Sequence, residues 1–204
     1  MKLFVLGATG GVGRQVVTQG VARGHEVTAF VRSPDKLAAQ MGLRVVKGDV
    51  RDERALEQAM AGTEAVITSV GPPIPFTGKT TIMGDAGGAT VRAMAASGVR
   101  RVIAISGELQ FAGAGPPKLV RVLLLRHLER DQAELERSLR ASDHEWTIVR
   151  PAPLTNGPLT SSYRSERDAL PTRPKPISRA DVAHFLLATA ETGAHARDIV
   201  GLAR

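Results

Sequence analysis

The amino-acid sequence predicts an α/β fold in which a doubly wound, mostly parallel sheet carries helices on both faces. Short runs of β-branched and apolar residues alternate with longer stretches of helical periodicity, which is typical of parallel sheets covered by helices. The first run, Lys2–Leu6, leads directly into a cluster of glycines. A later run, Arg101–Ile105, is apolar after its arginine, as expected for a strand that is buried on both faces.

Each predicted strand is a short apolar run bounded by glycine, proline or polar residues. In chain order the predicted strands are Lys2–Leu6, Glu26–Val31, Leu43–Lys47, Ala65–Val70, Arg101–Ile105, Trp146–Val149 and Ile199–Leu202. The helices between them have recognisable starts, since Asp52 and Ser178 are N-capping residue types and Pro34 suits a first helical position. Helices are predicted over 12–22, from 34, over 52–60, up to 97, over 118–141 and over 178–190.

Three segments are predicted to be irregular. Residues 71–78 contain three prolines, which remove backbone donors and fix φ. Residues 107–117 form a second loop, and residues 151–176 carry six prolines with little periodicity. The second and third segments are long enough to wall a substrate pocket.

Composition limits the classes of function. A chain of 204 residues with 43% hydrophobic and 23% charged residues suits a single domain spanning 1–204. The absence of cysteine excludes thiol catalysis and zinc sites built on sulfur, and the five histidines are isolated, so no metal site is expected. No apolar run is long enough for a signal peptide or a bilayer span, which predicts a soluble, cytoplasmic protein without membrane contact.

The basic charge does not predict nucleic-acid binding. The net charge is +7, but the 27 basic residues are scattered and form no basic run, and aromatic residues make up only 3% of the chain. An affinity for small phosphorylated or carboxylated molecules, or a solvated arginine-rich surface, explains the charge without nucleic acid.

The strongest motif is the turn Gly7-Ala8-Thr9-Gly10-Gly11-Val12-Gly13, which lies between the first strand and the first helix. Glycines at such a position allow a tight turn and a close approach of the backbone to a pyrophosphate. The helix N-terminus that follows presents unpaired N–H groups to an anion. Dinucleotide binding is therefore predicted here, with cofactor contacts from Gly7, Thr9, Gly10, Gly11, Val12 and Gly13.

The end of the second strand favours NADP over NAD. An acidic residue at this position would bind the ribose diol of NAD, whereas an arginine accommodates the 2′-phosphate of NADP. The strand ends Phe30-Val31-Arg32-Ser33, with Lys36 in the following turn. A guanidinium can hold a phosphate in forked geometry, so Arg32 is predicted to bind the 2′-phosphate.

Several motifs together resemble the atypical short-chain dehydrogenase/reductases. The likeness is closer to the small NAD(P)H-binding, NmrA-like group that includes biliverdin reductase B (flavin reductase), and it covers nearly the whole chain. The motifs that carry it are Gly7-Ala8-Thr9-Gly10, Val31-Arg32, Gly48-Asp49-Val50, Ser69-Val70-Gly71, Leu139-Arg140-Ala141-Ser142, Trp146-Thr147-Ile148-Val149-Arg150-Pro151, Asn156-Gly157-Pro158-Leu159-Thr160 and Ile177-Ser178-Arg179-Ala180-Asp181-Val182-Ala183. The resemblance implies a Rossmann-like fold.

The resemblance also implies roles for individual residues. Gly10, Gly11, Val12 and Gly13 would contact the pyrophosphate. Asp49 and Val50 would flank the adenine, and Val70 and Gly71 would line the adenosine. Ser106 would lie near the nicotinamide, whose carboxamide would contact Pro151, Ala152, Pro153 and Leu154.

The chain departs from the wider superfamily at the reactive end. Most members use a Tyr-x-x-x-Lys pair, but Tyr163 is followed four residues later by Arg167 and lies after the sixth predicted strand. Gln132 stands where the resemblance places a histidine. Reduction of a simple ketone benefits from a positioned proton donor, so that chemistry is disfavoured. A flavin or quinone stabilises negative charge itself and is the predicted hydride acceptor.

Several alternatives stay open at this stage. Ser106 is either a catalytic hydrogen-bond donor to the substrate or an ordinary strand-end residue. Arg121, Arg126 and Arg130 form either a basic rim for an acidic substrate or a solvated helix face. The chain is predicted to be an NADPH-dependent reductase of a small-molecule acceptor, as a monomer or homodimer. A redox sensor that binds NADP(H) without turnover is the alternative.

Overall fold

The computed structural model describes residues 1–72, 78–111 and 125–204. Its strands are β1 (Lys2–Leu6), β2 (Glu26–Val31), β3 (Leu43–Lys47), β4 (Ala65–Thr68), β5 (Arg101–Ile105), β6 (Glu145–Pro151), β7 (Leu154–Thr155), β8 (Arg164–Arg167), β9 (Ile177–Ser178) and β10 (Asp198–Ala203). The helices are α1 (Gly11–Ala22), α2 (Glu53–Met60), α3 (Ile82–Ser97), α4 (Arg126–Arg140) and α5 (Arg179–Thr192). Short 3₁₀ turns cover Pro34–Lys36 and Glu108–Gln110.

The main sheet has the strand order β3-β2-β1-β4-β5-β6-β10-β8. Neighbouring strands pair in parallel from β3 to β10, and β8 alone runs antiparallel, along β10 at the edge. The chain winds outward from β1 to β3 and then returns to build the other half from β4 onward. In sheets of this topology ligands bind beyond the carboxyl ends of the strands at the point of reversal, which here lies between β1 and β4.

Two apolar layers enclose the sheet. On one face α1 and α5 pack through side chains such as Val16 and Leu186. On the other face α2, α3 and α4 contribute Leu56, Met94 and Leu139. All five of these side chains are fully buried, so both faces of the sheet are shielded from water. The predicted doubly wound α/β sheet is confirmed.

The segment 151–176 differs from its prediction as one long loop. Leu154–Thr155 pairs with Ile177–Ser178, and Arg164–Arg167 pairs with β10. The sequence Arg-Ser-Glu-Arg of β8 is exposed at every position, so it carries no apolar alternation that could reveal a strand. Backbone bonds to β10, rather than side-chain burial, define this edge strand.

Other boundaries differ by a few residues. β4 ends at Thr68 and not at Val70, because the backbone of Ser69 turns to pass directly against Gly7. The helix predicted over 118–141 is seen as α4 from Arg126 to Arg140. Parts of three predicted segments (73–77, 112–117 and 118–124) lie outside the described residues. Within the described part of the chain, no helix is both long and apolar enough to cross a membrane.

Candidate functional site

The turn after β1 is built so that only glycines fit two of its positions. Gly7 has a φ of +75°, and a Cβ there would lie 2.7 Å from the carbonyl carbon of Ser69. A Cβ on Gly13 would collide with the carbonyl oxygen of Gly7. The amide of Gly10 donates to the same carbonyl at 2.9 Å, and the Ser69 hydroxyl donates to the carbonyl of Leu6 at 3.2 Å. The end of β1, the end of β4 and the start of α1 therefore meet backbone to backbone.

The N-terminus of α1 has no capping side chain among the described residues. Its N-cap is Gly10, and no acidic residue lies in its first turn. The backbone N–H groups of this turn, together with the positive end of the helix dipole, suit an anion. Arg14 lies one turn along and donates through Nε to the carbonyl of Thr9 at 3.0 Å. The turn has the shape and the polarity that a dinucleotide diphosphate needs.

Arg32 and Lys36 lie at the carboxyl end of β2 as exposed side chains. Neither forms an ion pair with any other described residue. Their positive charges are therefore available to a ligand. Together with the turn at Gly7, this arrangement fits the adenosine half of a phosphorylated dinucleotide.

The predicted adenine residues lie at the ends of the neighbouring strands. The Gly48 amide donates to the Val31 carbonyl at 3.0 Å, which brings the end of β3 beside the end of β2. Asp49 is exposed, and its Oδ1 accepts from the Arg51 amide at 3.0 Å. Val50 is buried and Val70 half-buried. Among the described residues, nothing lies within 4 Å of the place where Gly71 would carry a Cβ.

Ser106 follows the last residue of β5. It therefore lies at the carboxyl edge of the sheet, on the opposite side of β4 from β1 and β2. It is 6% exposed, and its hydroxyl has no hydrogen-bond partner among the described residues. Its amide donates to the carbonyl of Val149 at 2.9 Å, which holds the serine between β5 and β6. An unpartnered buried hydroxyl costs about 1–3 kcal/mol, so this position suits a group that gains a partner from a ligand.

Amide side chains surround the turn that begins at Ser106. Gln132 of α4 lies against Gly107, where a Cβ would collide with its amide. Gln110 donates through Nε2 to the carbonyl of Glu129 at 2.8 Å and to Oε1 of Gln132 at 3.5 Å. These amides do not titrate. Glu108 is the carboxyl of the same turn, and burial raises its pKa above the ordinary glutamate value.

A buried ion pair supports the 3₁₀ turn Glu108–Gln110, and the sequence analysis did not predict it. Arg150 donates to Glu136 through Nε at 2.9 Å and through Nη2 at 2.6 Å. Its Nη1 donates to the carbonyl of Gln110 at 3.1 Å, and its guanidinium carbon lies 4.5 Å from the ring centre of Phe111. An arginine at the end of an otherwise apolar strand was the one feature of the sequence that could have indicated this buried pair. The pair ties α4 and β6 to the 3₁₀ turn that follows Ser106.

Residues 151–154 connect the sheet to the start of α5. The Ala152 amide donates to the Leu202 carbonyl at 2.8 Å. The Pro153 carbonyl accepts from the Ile177 amide at 3.0 Å, and Leu154 pairs with Ile177 in the small sheet. Pro151 and Ala152 are buried, whereas Pro153 is exposed. The predicted carboxamide contacts of Pro151–Leu154 stay a prediction.

The N-terminus of α5 is fixed by Asp181. This carboxylate accepts from the Thr160 amide at 2.8 Å, the Thr160 hydroxyl at 2.9 Å and the Ser161 amide at 2.8 Å. It also accepts from the Ser178 hydroxyl at 2.8 Å, while that hydroxyl caps the helix. Burial opposes ionisation, but these hydrogen bonds outweigh it and lower the pKa of Asp181. The segment around Thr160 is thereby anchored to α5.

Tyr163 contacts α5 rather than the strand end that carries Ser106. Its hydroxyl lies 2.7 Å from Nδ1 of His184, and its ring meets Phe185 edge-on at 5.9 Å. Burial raises the pKa of this phenol above the ordinary tyrosine value. Tyr163 is thus used in packing against α5. In the described ranges, no group of three or more His, Asp and Glu side chains is arranged to share a metal ion.

An open depression lies beside the 3₁₀ turn and the first two turns of α4. Its lining combines apolar side chains (Leu109, Phe111 and Ala133) with two arginines (Arg126 and Arg130), the amide of Gln110 and the carboxyl of Glu129. Arg126 and Arg130 are exposed here, at the place where the sequence suggested a basic rim.

The chain is similar in sequence to an NAD(P)H-binding family and to known reductases. The profile of a family described as NAD(P)H-binding matches residues 7–192. A 3-diazoavenalumate denitrifying reductase from Streptomyces sp. is 31% identical over an alignment of 226 residues, which covers 100% of this chain and 71% of that protein. A (4-alkanoyl-5-oxo-2,5-dihydrofuran-3-yl)methyl phosphate reductase from Streptomyces griseus is 31% identical over 159 residues. That match covers 78% of this chain but only 50% of the relative.

A solved structure agrees with the sequence matches. A candidate NADH-flavin reductase from Streptococcus pneumoniae TIGR4 superimposes with a TM-score of 0.82 at 26% identity, covering 100% of this chain and 99% of that one. Together these matches confirm the predicted resemblance to NAD(P)H-binding reductases and the prediction of an oxidoreductase. The individual site residues stay predictions.

Proposed function

The chain belongs to the NAD(P)H-binding family of Rossmann-fold reductases, and on that premise we propose that it passes hydride from NADPH to a flavin- or quinone-type acceptor. The observation that carries the choice of acceptor is the set of side chains around Ser106. Among the described residues, Gln110 and Gln132 are neutral amides and Glu108 is the carboxyl of this turn, whereas the single tyrosine of the chain contacts His184. An acceptor that stabilises negative charge by its own conjugation does not need a tyrosine–lysine pair.

The preference for NADPH rests on Arg32. The 2′-phosphate is the group by which NADPH differs from NADH, and Arg32 and Lys36 are exposed cations without an ion-pair partner among the described residues. The diphosphate would lie on the turn from Gly7 to Gly13, and the adenine between the ends of β3 and β4 at Val50 and Gly71.

The residues at the reactive end orient and shield rather than exchange protons. When bound, NADPH supplies the hydride. Ser106 would donate its unpartnered hydroxyl to the nicotinamide carboxamide or to the acceptor, which repays the cost of its burial. The Glu136–Arg150 pair holds the turn in place, so that the turn would help to orient an acceptor beside the nicotinamide, and orientation of this kind contributes to the rate.

The relatives support an electron-poor acceptor. The name of the Streptomyces griseus reductase describes a substrate whose ring double bond is conjugated to two carbonyl groups, and that substrate carries a phosphate. The name of the other relative describes a diazo compound. The depression at Phe111, with Arg126 and Arg130 on its rim, would suit a flat acceptor with a phosphate, such as FMN.

Steady-state NADPH oxidation against a panel of acceptors tests this proposal. Flavins and quinones should be reduced, and simple ketones and aldehydes should be inert. Glu108→Gln should keep its turnover with a quinone, because solvent can supply the proton. Efficient reduction of a single carbonyl compound with inert flavins and quinones would contradict the proposal. Tight NADPH binding without turnover of any acceptor would favour the redox sensor instead.

A further inference from the structure

Arg179 is the first residue of α5, and its side chain lies across the start of α1. A Cβ on Gly11 would lie 2.6 Å from both Cδ and Nε of Arg179 and 3.7 Å from its Cζ. Because Gly11 has no side chain, the side chain of Arg179 has room to reach the phosphate turn. No feature of the turn itself predicts this contact, because 168 positions separate the two residues (179 − 11).

The arginine is held in this position by its neighbours. Its Nη1 donates to Oδ1 of Asn156 at 2.7 Å. Its backbone leaves the helix start that Ser178 caps and that Asp181 anchors to Thr160. The side chain thus emerges from a rigid point and is guided by an amide from the segment that follows β7.

The charge distribution around Arg179 is unusual for a structural contact. Cations are favoured at the C-termini of helices, yet this guanidinium lies beside the positive end of α1. No described carboxylate forms an ion pair with it, and the nearby Asp181 already accepts four hydrogen bonds from other groups. Two positive features that face the same space are stabilised by an anion between them.

We propose that Arg179 and Asn156 form a clamp on the diphosphate of the bound dinucleotide. The turn from Gly7 to Gly13 holds one side of the diphosphate through backbone N–H groups, and the guanidinium of Arg179 binds it from the α5 side. This inference rests on the proposed binding of NADPH and extends it. Because Asn156 belongs to the segment predicted to wall the acceptor pocket, the clamp also links cofactor binding to that wall.

Calorimetry with three ligands tests the clamp. NADPH and NADH both contain the diphosphate, whereas adenosine 2′-monophosphate lacks it. Arg179→Gln should weaken NADPH and NADH equally, by roughly tenfold to a hundredfold, because a charged hydrogen bond is lost in both. The same variant should bind adenosine 2′-monophosphate as the wild type does. Arg179→Lys, which keeps the charge without the fork, should show a smaller loss.

The controls separate this clamp from the wider proposal. Arg167→Gln removes an exposed arginine from β8 and should leave all three affinities unchanged. If the wild type binds NADPH but Arg179→Gln binds both dinucleotides equally well or more tightly, the clamp is wrong while the proposed function stands. An equal loss for adenosine 2′-monophosphate would show a general disturbance and also contradict the clamp. If the wild type binds neither dinucleotide, the proposed function itself fails.

Discussion

The two ends of the candidate site are built in different ways. At the phosphate end, the fit depends on backbone that passes within van der Waals distance of backbone, at Gly7, Gly13 and Ser69. At the acceptor end, the site depends on side chains from separate elements, with Arg150 from β6 bound to Glu136 from α4. Backbone constraints leave a sequence signature, because only glycine satisfies them. Side-chain networks leave a weaker one, because many residue pairs could serve.

The largest expected effect comes from a substitution at the phosphate end of the site. Gly10→Val should abolish dinucleotide binding, because Gly10 is exposed and its new side chain would stand where the diphosphate meets the helix N-terminus. The fold should survive, since the φ of −75° at Gly10 is accessible to valine and the tightest contact of a Cβ with the described residues, 3.2 Å to the carbonyl oxygen of Gly7, requires only a small shift. Calorimetry and thermal unfolding measure the two properties separately. Ala96→Val enlarges an exposed side chain on α3 and should bind normally; normal binding by Gly10→Val would show that the turn is misassigned.

The acceptor end should be most sensitive to an unpaired charge. Arg150→Met leaves Glu136, which is 4% exposed, without its partner, and such losses lower the free energy of unfolding by about 3–5 kcal/mol. The double variant with Glu136→Leu should recover most of this stability, because an apolar pair can replace a buried ion pair. Denaturant unfolding of both variants measures the difference. Equal stability of the single and double variants would show that the pair is not coupled.

Arg32→Ala tests cofactor choice within the phosphate end. The substitution deletes a charged fork to the 2′-phosphate, worth about 1.5–3 kcal/mol, so NADPH binding should fall by roughly tenfold to a hundredfold. NADH lacks this phosphate and should bind almost as before. The ratio of the two dissociation constants at one salt concentration is the measurement. Arg44→Ala, an exposed arginine of β3, should leave the ratio unchanged, and an unchanged ratio in Arg32→Ala would remove the main support for NADPH.

The smallest effect concerns the anchor between the two ends. The folded-state pKa of Asp181 lies below its usual 3.8, so its ionised form stabilises the native state above that pH. This contribution is lost as the pH falls through the lowered value. Asp181→Asn should therefore destabilise the protein near neutral pH by about 1–3 kcal/mol and progressively less in acid. Unfolding across this pH range measures the effect, with the exposed Asp35→Asn as control; a difference independent of pH would contradict the role of ionisation.

Sequence reasoning predicted the parts of the molecule that local patterns determine. The strands β1, β2, β3 and β5 were predicted with their observed bounds, because each is a compact apolar run. The glycine turn was predicted because its spacing reflects backbone sterics. The edge strand β8 was missed, since its four residues are exposed and polar. Its pairing depends on β10, which begins at Asp198, far along the chain from the end of β8 at Arg167, and supplies the partners.

The site contacts that the sequence did not predict were missed for one common reason. Arg179 meets Gly11 only because α1 and α5 cover the same face of the sheet. Glu136 meets Arg150 only because α4 packs on the other face beside β6. Neither contact follows from residue type or spacing, since each requires the crossing of elements that are distant in sequence. Such contacts become visible only when the tertiary structure is available.

The proposed function depends most directly on which acceptor takes the hydride. The decisive measurement is a single-turnover experiment in which protein is in excess over NADPH and the nicotinamide absorbance is followed after mixing with either a quinone or a ketone of similar size. We expect rapid oxidation of NADPH by the quinone and none by the ketone, with Gly10→Val inactive toward both. Oxidation by the ketone alone would contradict it, because the residues described around Ser106 would then have to supply the proton that a ketone requires.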